Sequence, residues 1–280
     1  MKKVIPYIIA FLLIQCKPDI DYQLQGYTEK IIVEGIIESG EYPRVYLTKN
    51  VPLWQEMDSI SLRKKVIRSA KITISCNDEL EVLHAEWDNE QIPPYVYRGT
   101  KIKGKEGESY SLLIEYSGNT FEATTTVPYK PKINGFKSYA SENSDSSKVL
   151  YAEILIDNKN YGYRIFSRRP DETKYAETRI IYNENFNLTG GQQFLINPLA
   201  IRNIQDNDSQ DKFFPGDSVF VKIMVLDSIS TTFFKAFSIG AEFDKQANID
   251  QINPLNSNIS KPGFGIWYGA GVEEHLVIIQ

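Results

Sequence analysis

Cysteine and histidine are scarce in this chain, which has two of each among 280 residues. Cys16 lies near the N-terminus and Cys76 stands alone, so the chain has neither a disulfide framework nor a cysteine-based zinc site. His84 and His275 leave few ways to form a catalytic triad or a zinc site. A Gly-x-Ser-x-Gly turn, a phosphate-binding loop and a dinucleotide fingerprint are also absent. These absences argue against nucleophilic hydrolysis, and we expect a protein without enzymatic activity and without a cofactor.

Positive charge is in deficit as well. The chain has 31 lysines and arginines against 36 aspartates and glutamates, which gives a formal net charge of −5 at pH 7. Nucleic acids and anionic membrane surfaces are bound mainly through basic patches, so we expect no nucleic-acid partner. The hydrophobic fraction of 42% is nevertheless sufficient for packed cores.

The N-terminal apolar segment is too short to cross a membrane. Residues 4–14 are apolar apart from Pro6, and they follow Lys2 and Lys3. This length matches the roughly 7 to 15 residues of a signal-peptide core and falls short of the about 20 residues of a spanning helix. We therefore predict a signal peptide over residues 1–15.

Cys16 directly follows this signal peptide. Residues 13–16, Leu-Ile-Gln-Cys, resemble a bacterial lipobox, in which the cysteine is lipidated and becomes the first residue of the mature protein. We predict a diacyl or triacyl anchor on Cys16, which attaches stably because each buried methylene contributes about 0.8 kcal/mol. An ordinary secretory signal with an incidental cysteine is the alternative.

Residues 16–27 are predicted to form a lipidated linker. Within it, Lys17, Asp19 and Asp21 resemble the short export signal, a lysine with acidic residues, that sends Bacteroidota lipoproteins to the outer face of the outer membrane. We therefore expect a protein that is lipid-anchored in the outer membrane and exposed on the cell surface.

Residues 28–128 read as a succession of short β-strands. The β-branched run 30–37 ends at a Ser-Gly pair, and residues 69–75 alternate between isoleucine and small or polar residues. About seven short strands in about 100 residues is the number expected of an immunoglobulin-like sandwich. We predict a mainly β fold that begins with an immunoglobulin-like or carboxypeptidase-regulatory-like β-sandwich.

A second β-rich domain is predicted over residues 132–280. Pro128 and Pro131 mark the boundary, because each proline removes a hydrogen-bond donor and favours an extended chain. Residues 217–227 form the clearest strand pattern, with Phe220, Lys222 and Met224 on a face that is only partly wet. Residues 230–246 are rich in phenylalanine and lack proline, which predicts one amphipathic helix packed on the second sheet.

Several segments of the second half share a recognisable pattern. Residues 253–255 and 257–259 read Asn-Pro-Leu and Ser-Asn-Ile, and residues 263–270 are rich in glycine and aromatic side chains. Residues 214–219 lead into the long strand, and residues 32–35 agree at the front. This pattern resembles a Bacteroidota outer-membrane lipoprotein family defined by a domain of unknown function (DUF4249-like). The resemblance implies an accessory lipoprotein that works beside a TonB-dependent outer-membrane transporter, with no established enzymatic activity.

Two sets of residues are candidates for ligand sites. Three carboxylates at short spacing suit the oxygen ligation of Ca²⁺, although solvated acidic loops are commoner. The residues of this candidate calcium site are Asp206, Asp208 and Asp211. Large aromatic side chains suit a binding surface, although core packing consumes them as well. The candidate binding aromatics are Trp54, Trp87, Trp267 and Tyr268.

The leading hypothesis is a non-enzymatic surface lipoprotein that acts as the accessory binding subunit of a TonB-dependent nutrient uptake system. Its expected partners are the membrane, through the lipid on Cys16, a TonB-dependent transporter or another outer-membrane protein, and a glycan or peptide ligand. A glycan-active enzyme is the first alternative, because two carboxylates in a cleft suffice for glycoside hydrolysis. A structural or adhesion module of the cell envelope is the second alternative.

Overall fold

The chain is built mainly from β-strands. The computed structural model describes residues 28–51, 58–88, 93–141, 146–156, 160–181, 191–196, 212–243 and 257–280. Its strands are β1 Ile31–Glu38, β2 Arg44–Lys49, β3 Lys71–Cys76, β4 Glu79–Val82, β5 His84–Trp87, β6 Tyr95–Arg98, β7 Ser109–Tyr116, β8 Asn119–Thr126, β9 Lys132–Ala140, β10 Lys148–Leu155, β11 Gly162–Arg168, β12 Ala176–Ile181, β13 Gly191–Ile196, β14 Ser218–Leu226 and β15 Phe264–Ile278. Its helices are α1 Ser59–Lys64 and α2 Ser228–Phe243.

Three sheets arrange these strands in two layers. One sheet has eight strands in the order β12-β11-β14-β15-β1-β2-β6-β5. A four-stranded sheet, β4-β3-β7-β8, packs against one half of it, and a three-stranded sheet, β13-β10-β9, packs against the other half. The prediction of a mainly β fold, with a β-sandwich followed by a second β-rich part, is confirmed.

Strict alternation along the strands directs one set of side chains into each core. On β14, Val219, Val221 and Ile223 are buried in the second core, because successive residues of a strand point to opposite faces. On β1, Val33 and Ile37 enter the first core in the same way. β-branched side chains fit these positions well, since they pack closely on a pleated surface.

Strand β15 contributes to both cores. It pairs in parallel with β1, where Ile32 lies opposite Phe264, and antiparallel with β14. Its Trp267 is fully buried in the first core, and its Val277 is buried in the second. The predicted division of the chain at residues 128–132 is therefore incomplete, because the tail supplies a central strand to the first sandwich.

Two glycines allow β15 to pass close to the connector between the sandwiches. A Cβ atom added to Gly269 would lie 2.6 Å from the carbonyl oxygen of Thr126, and one added to Gly271 would lie 2.5 Å from that of Pro128. Any residue with a Cβ atom would clash with the neighbouring backbone at these positions. The glycine content of the tail thus has a steric cause at this crossing.

Helix α2 packs on the outer face of the eight-stranded sheet, the face turned away from both cores. Phe233 and Phe234 of the helix contact Phe264 and Tyr268 of β15. Asp227 caps the first turn, because its Oδ1 accepts a hydrogen bond of 2.7 Å from the backbone of Ser230. The predicted helix over residues 230–246 is thereby confirmed, with a start two residues earlier. Within the described ranges, no helix has the length and apolar character needed to cross a membrane.

Candidate functional site

A cleft lies on the outer face of the eight-stranded sheet, beside helix α2. It has a volume of about 330 Å³ and is lined from strands β1, β2, β11, β14 and β15. Its charged lining residues are Glu34, Glu38, Arg44, Arg164 and Lys222. The cleft is therefore a polar site on a rigid floor.

The alternation of β1 explains why acidic residues reach this cleft. Gly35 and Ile37 face the first core, so Glu34, Ile36 and Glu38 must face the opposite side. Ile36 lies between the two carboxylates and belongs to an apolar cluster with Met224. The floor of the cleft thus has an apolar middle between two acidic positions.

Glu38 is the centre of a buried ion cluster. Its carboxylate accepts a hydrogen bond of 2.6 Å from Nη2 of Arg44 and one of 2.5 Å from Nζ of Lys222. Only 4% of Glu38 is exposed, and a buried charge is tolerated when it is paired in this way. The cluster joins β14 to β1 and the start of β2. It also leaves a net positive charge, because two cations share one carboxylate.

Arg164 is held by a second set of contacts. Its Nε and Nη2 donate to the two carboxylate oxygens of Glu177 at 2.6 and 3.0 Å, and its Nη1 donates to the hydroxyl of Tyr268 at 3.2 Å. The guanidinium also lies 4.6 Å from the ring centre of Phe234. Such a bidentate, stacked arginine is fixed in position and charge.

Glu34 differs from the other charged residues of the cleft. Among the described residues, its carboxylate makes no hydrogen bond and no ion pair. Its side chain is open to solvent, although the walls of the cleft surround it closely enough that burial raises the pKa of Glu34, an effect that Arg164 partly opposes. Tyr46 lies directly opposite on β2, and burial raises the pKa of its hydroxyl as well. Within the described part of the chain, the Glu34 carboxylate is thus a hydrogen-bond acceptor that receives no hydrogen bond.

A second cavity of about 360 Å³ continues the cleft. It shares Glu38, Arg44 and Lys222 with the first cavity and extends to Glu41, Arg98 and Glu274. Two of these outer residues form ion pairs: Arg98 bonds to Glu86 at 3.1 Å, and Glu274 lies 4.0 Å from Arg168. The two cavities form one groove across the sheet.

The predicted aromatic residues fall in three different environments. Trp267 is fully buried and donates from Nε1 to the carbonyl oxygen of Tyr110 at 3.0 Å, so its proposed role in a binding surface is wrong. Tyr268, the next residue on β15, points to the opposite face and lines the cleft while only 3% exposed. Trp87 is 44% exposed on the edge strand β5, where the guanidinium of Arg68 lies 5.0 Å from its ring centre.

The other predicted site residues lie outside the described part of the chain. They are Cys16, Lys17, Asp19, Asp21, Trp54, Asp206, Asp208 and Asp211. Within the described part, no group of three or more histidine, cysteine, aspartate or glutamate side chains is placed to hold a metal ion.

The sequence analysis did not identify the charged residues of the cleft. Glu34 interrupts the β-branched run of β1, and Lys222 interrupts that of β14. The predicted partly wet face of Phe220, Lys222 and Met224 is the outer sheet face, on which the cleft lies. Charged residues inside strongly apolar strands were therefore the signal in the sequence. The sequence did not show which strands pair with one another to bring these charges together.

Comparison with known proteins identifies no family. No protein-family model matches the chain, and no curated protein matches it. A solved structure described as "Marsupial T cell receptor" is similar at 9% sequence identity, with a TM-score of 0.21, over 71% of this chain and 81% of that chain. A score of this size is too low to show a common fold.

Proposed function

We propose that this protein is a non-enzymatic surface lipoprotein that binds a ligand in the groove on its outer sheet face. The preformed groove carries this proposal. Its floor consists of paired strands, and the ion cluster around Glu38 and the contacts of Arg164 hold its charged side chains in place. Such preorganisation favours binding, because little side-chain freedom remains to be lost.

The carboxylates of the cleft favour binding over glycoside hydrolysis. Glycosidases place two carboxyl groups about 5 to 9.5 Å apart, with one acting as acid and the other as nucleophile or base. Glu34 and Glu38 are four residues apart on one strand, with Cα atoms about 13 Å apart, and their carboxyl groups have different surroundings. Glu38 is also occupied by Arg44 and Lys222. This pair therefore does not resemble the catalytic arrangement of a glycan-active enzyme.

The proposed cellular role is that of an accessory subunit of a TonB-dependent uptake system in the outer membrane. The sequence of residues 1–27 supports it, through the signal peptide, the lipidated Cys16 and the export signal. The lipid anchor would hold the groove at the membrane surface, near a transporter. A ligand captured in the groove would then be delivered locally.

Purification of the full chain from detergent-solubilised membranes tests this role. We expect an outer-membrane transporter to co-purify with the wild-type protein. The Cys16→Ala variant should be lost from the membrane fraction and should no longer co-purify with that partner. Its circular dichroism spectrum should match that of the wild-type protein, because the fold is unchanged. Recovery of the wild-type protein alone under mild conditions would contradict a stable uptake complex. Unimpaired growth of a deletion strain on every nutrient tested would favour the structural or adhesion role instead.

A further inference from the structure

The groove carries opposite charges at two separated places. At one place Glu34 contributes a negative charge that forms no ion pair among the described residues, although Arg164 acts on it through space. At the other place the cations of Arg44 and Lys222 share the single carboxylate of Glu38, while Glu41 and Glu274 line the adjoining cavity. Arg164 adds no free charge, because Glu177 neutralises it through two hydrogen bonds. The groove is therefore bipolar.

The positive place has hydrogen-bond donors to spare. A lysine ammonium has three N–H donors and an arginine guanidinium has five. Among the described residues, Lys222 and Arg44 each donate one hydrogen bond, to Glu38, and the Lys222 ammonium also lies 6.0 Å from the ring centre of Tyr175, so further donors remain for a ligand. Their side chains are 17% and 30% exposed, which leaves them accessible from the groove. This place suits a carboxylate.

The negative place suits a cationic nitrogen. Among the described residues, no group donates a hydrogen bond to the Glu34 carboxylate, and Tyr46 lies opposite Glu34 on the neighbouring strand and also lines the cleft. A carboxylate next to an aromatic ring stabilises an ammonium group through charge and through the ring face. Glu34 thus has the chemistry to receive an amine.

The spacing of the two places sets the length of the ligand. The Cα atoms of Glu34 and Glu38 are separated by about 13 Å along β1, and Arg44 and Lys222 meet at the Glu38 end. An extended peptide spans at most about 3.3 to 3.6 Å per residue, so three or four residues bridge this distance whereas a free amino acid does not. Between the ends, Ile36 and Met224 form an apolar floor. Phe166 and Tyr175 also line the cleft, on the side of Lys222. The apolar floor suits the side chains of a peptide.

We propose that the groove binds short peptides of three or four residues with free termini. The amino terminus would pair with Glu34, and the carboxyl terminus would pair with Arg44 and Lys222. This assignment rests on the proposed function, since it names the ligand class of the same groove. A neutral oligosaccharide has no charged group that could pair with Glu34 or with Arg44 and Lys222.

Modified peptides test the assignment without altering the protein. The probe is a tetrapeptide of alanine and leucine with free termini, measured by isothermal titration calorimetry against the full chain. We expect N-acetylation and C-amidation each to weaken binding about tenfold or more, because each removes a charge-assisted contact.

Protein variants then locate each terminus. In Glu34→Gln the penalty for N-acetylation should disappear, and in Lys222→Met the penalty for C-amidation should shrink. Glu122→Gln is the matched control, because Glu122 is an exposed carboxylate on β8, in a different sheet. It should keep both penalties. Circular dichroism checks that Lys222→Met remains folded, and Arg44 still pairs with Glu38 in that variant.

The other outcomes overturn the assignment in distinguishable ways. Equal affinity for free and capped peptides would mean that the termini are not recognised. Binding of neutral oligosaccharides in the groove, with no binding of peptides, would refute the peptide and leave the proposed function standing. Absence of binding by both ligand classes, together with absence of a membrane partner, would refute the proposed function itself.

Discussion

Glu81 organises the chain between β6 and β7 through its side chain. Its carboxylate accepts hydrogen bonds from the backbone N–H groups of Thr100, Lys101 and Ile102, at 2.5, 2.8 and 2.8 Å. Only 6% of Glu81 is exposed. Ile102, which this loop carries, is part of the first core. One carboxylate therefore fixes both a loop and the core residue that the loop delivers.

Substitution Glu81→Gln should lower the free energy of unfolding by about 2 kcal/mol, because an amide replaces one acceptor oxygen by a donor that faces backbone N–H groups. Glu79→Gln on the same strand is the control, since Glu79 is exposed, and its effect should stay within about 0.5 kcal/mol. Chemical denaturation of both variants measures the difference. Equal stability of the two variants would refute the anchoring role of Glu81.

The contribution of Glu81 should also depend on pH. Burial raises the pKa of Glu81, but the backbone hydrogen bonds outweigh burial and hold the pKa below its ordinary value of 4.5. A lowered pKa stabilises the folded state above 4.5, and the stabilisation is lost as the pH falls through the folded-state pKa. The difference in the free energy of unfolding between wild type and Glu81→Gln should therefore be largest at neutral pH and should decrease below about pH 4.5. A difference that is constant with pH would contradict this.

Individual residues were only partly predictable from the sequence. Trp267 and Tyr268 are neighbours in a glycine-rich tail, so composition treats them alike, yet strand alternation sends one into the core and the other to the cleft. Whether a side chain is buried in the core or lines the cleft depends on which sheet packs over that face of the strand. Glu34 stands out in the sequence as a charge inside an apolar strand, but the sequence does not show which face of the sheet it occupies.

At the scale of elements, the crossing of β15 over the connector depends on side-chain size. A Cβ at Gly269 would lie 2.6 Å from the carbonyl oxygen of Thr126 and 2.8 Å from Cα of Val127, both backbone atoms that cannot rotate away. We expect Gly269→Ala to lower the free energy of unfolding by about 1 to 3 kcal/mol through overpacking. Thermal and chemical unfolding of purified variants measures this loss.

The matched control for this prediction is Gly191→Ala. A Cβ there would also come within 2.7 Å of a neighbour, but that neighbour is the flexible side chain of Glu153. The control variant should therefore lose much less stability than Gly269→Ala. If the two alanines cost the same, backbone proximity at the crossing is not the reason for the glycine.

The elements themselves followed from local patterns. The strand at residues 217–227 and the helix near 230–246 were predicted because hydrophobic periodicity is a property of a short window of sequence. The pairing of β1 with β2 is also local, since the two strands are joined by a short turn. The pairing of β1 with β15 joins distant segments, and no local pattern encodes it.

For the whole molecule, the shared strand predicts that residues 28–128 do not fold alone. That fragment lacks Trp267, a fully buried side chain of its core, and leaves β1 as a free edge. We expect no cooperative thermal transition and poor dispersion in its proton NMR spectrum, whereas residues 28–280 should show both. A cooperative transition in the fragment would show that the first sandwich is independent of β15.

The sheet topology of the whole molecule cannot be predicted by analysing each strand separately. Pro128 and Pro131 lie between β8 and β9, which belong to different sheets, and nothing near them reveals that residues 264–270 pair with β1. This pairing is specified by complementarity between Trp267 and a core made of earlier strands. Such complementarity is a property of the packed molecule.

The central position of β15 sets the order in which the protein is completed. Of the described elements, β15 leaves the ribosome last, yet Ile32 near the start must wait for Phe264 as its partner. Pairing between such distant segments is slow, because loop-closure entropy is lost before the contact forms. The nascent chain thus carries an open β1 edge throughout synthesis, and its exposure to aggregation ends only when the tail has been made.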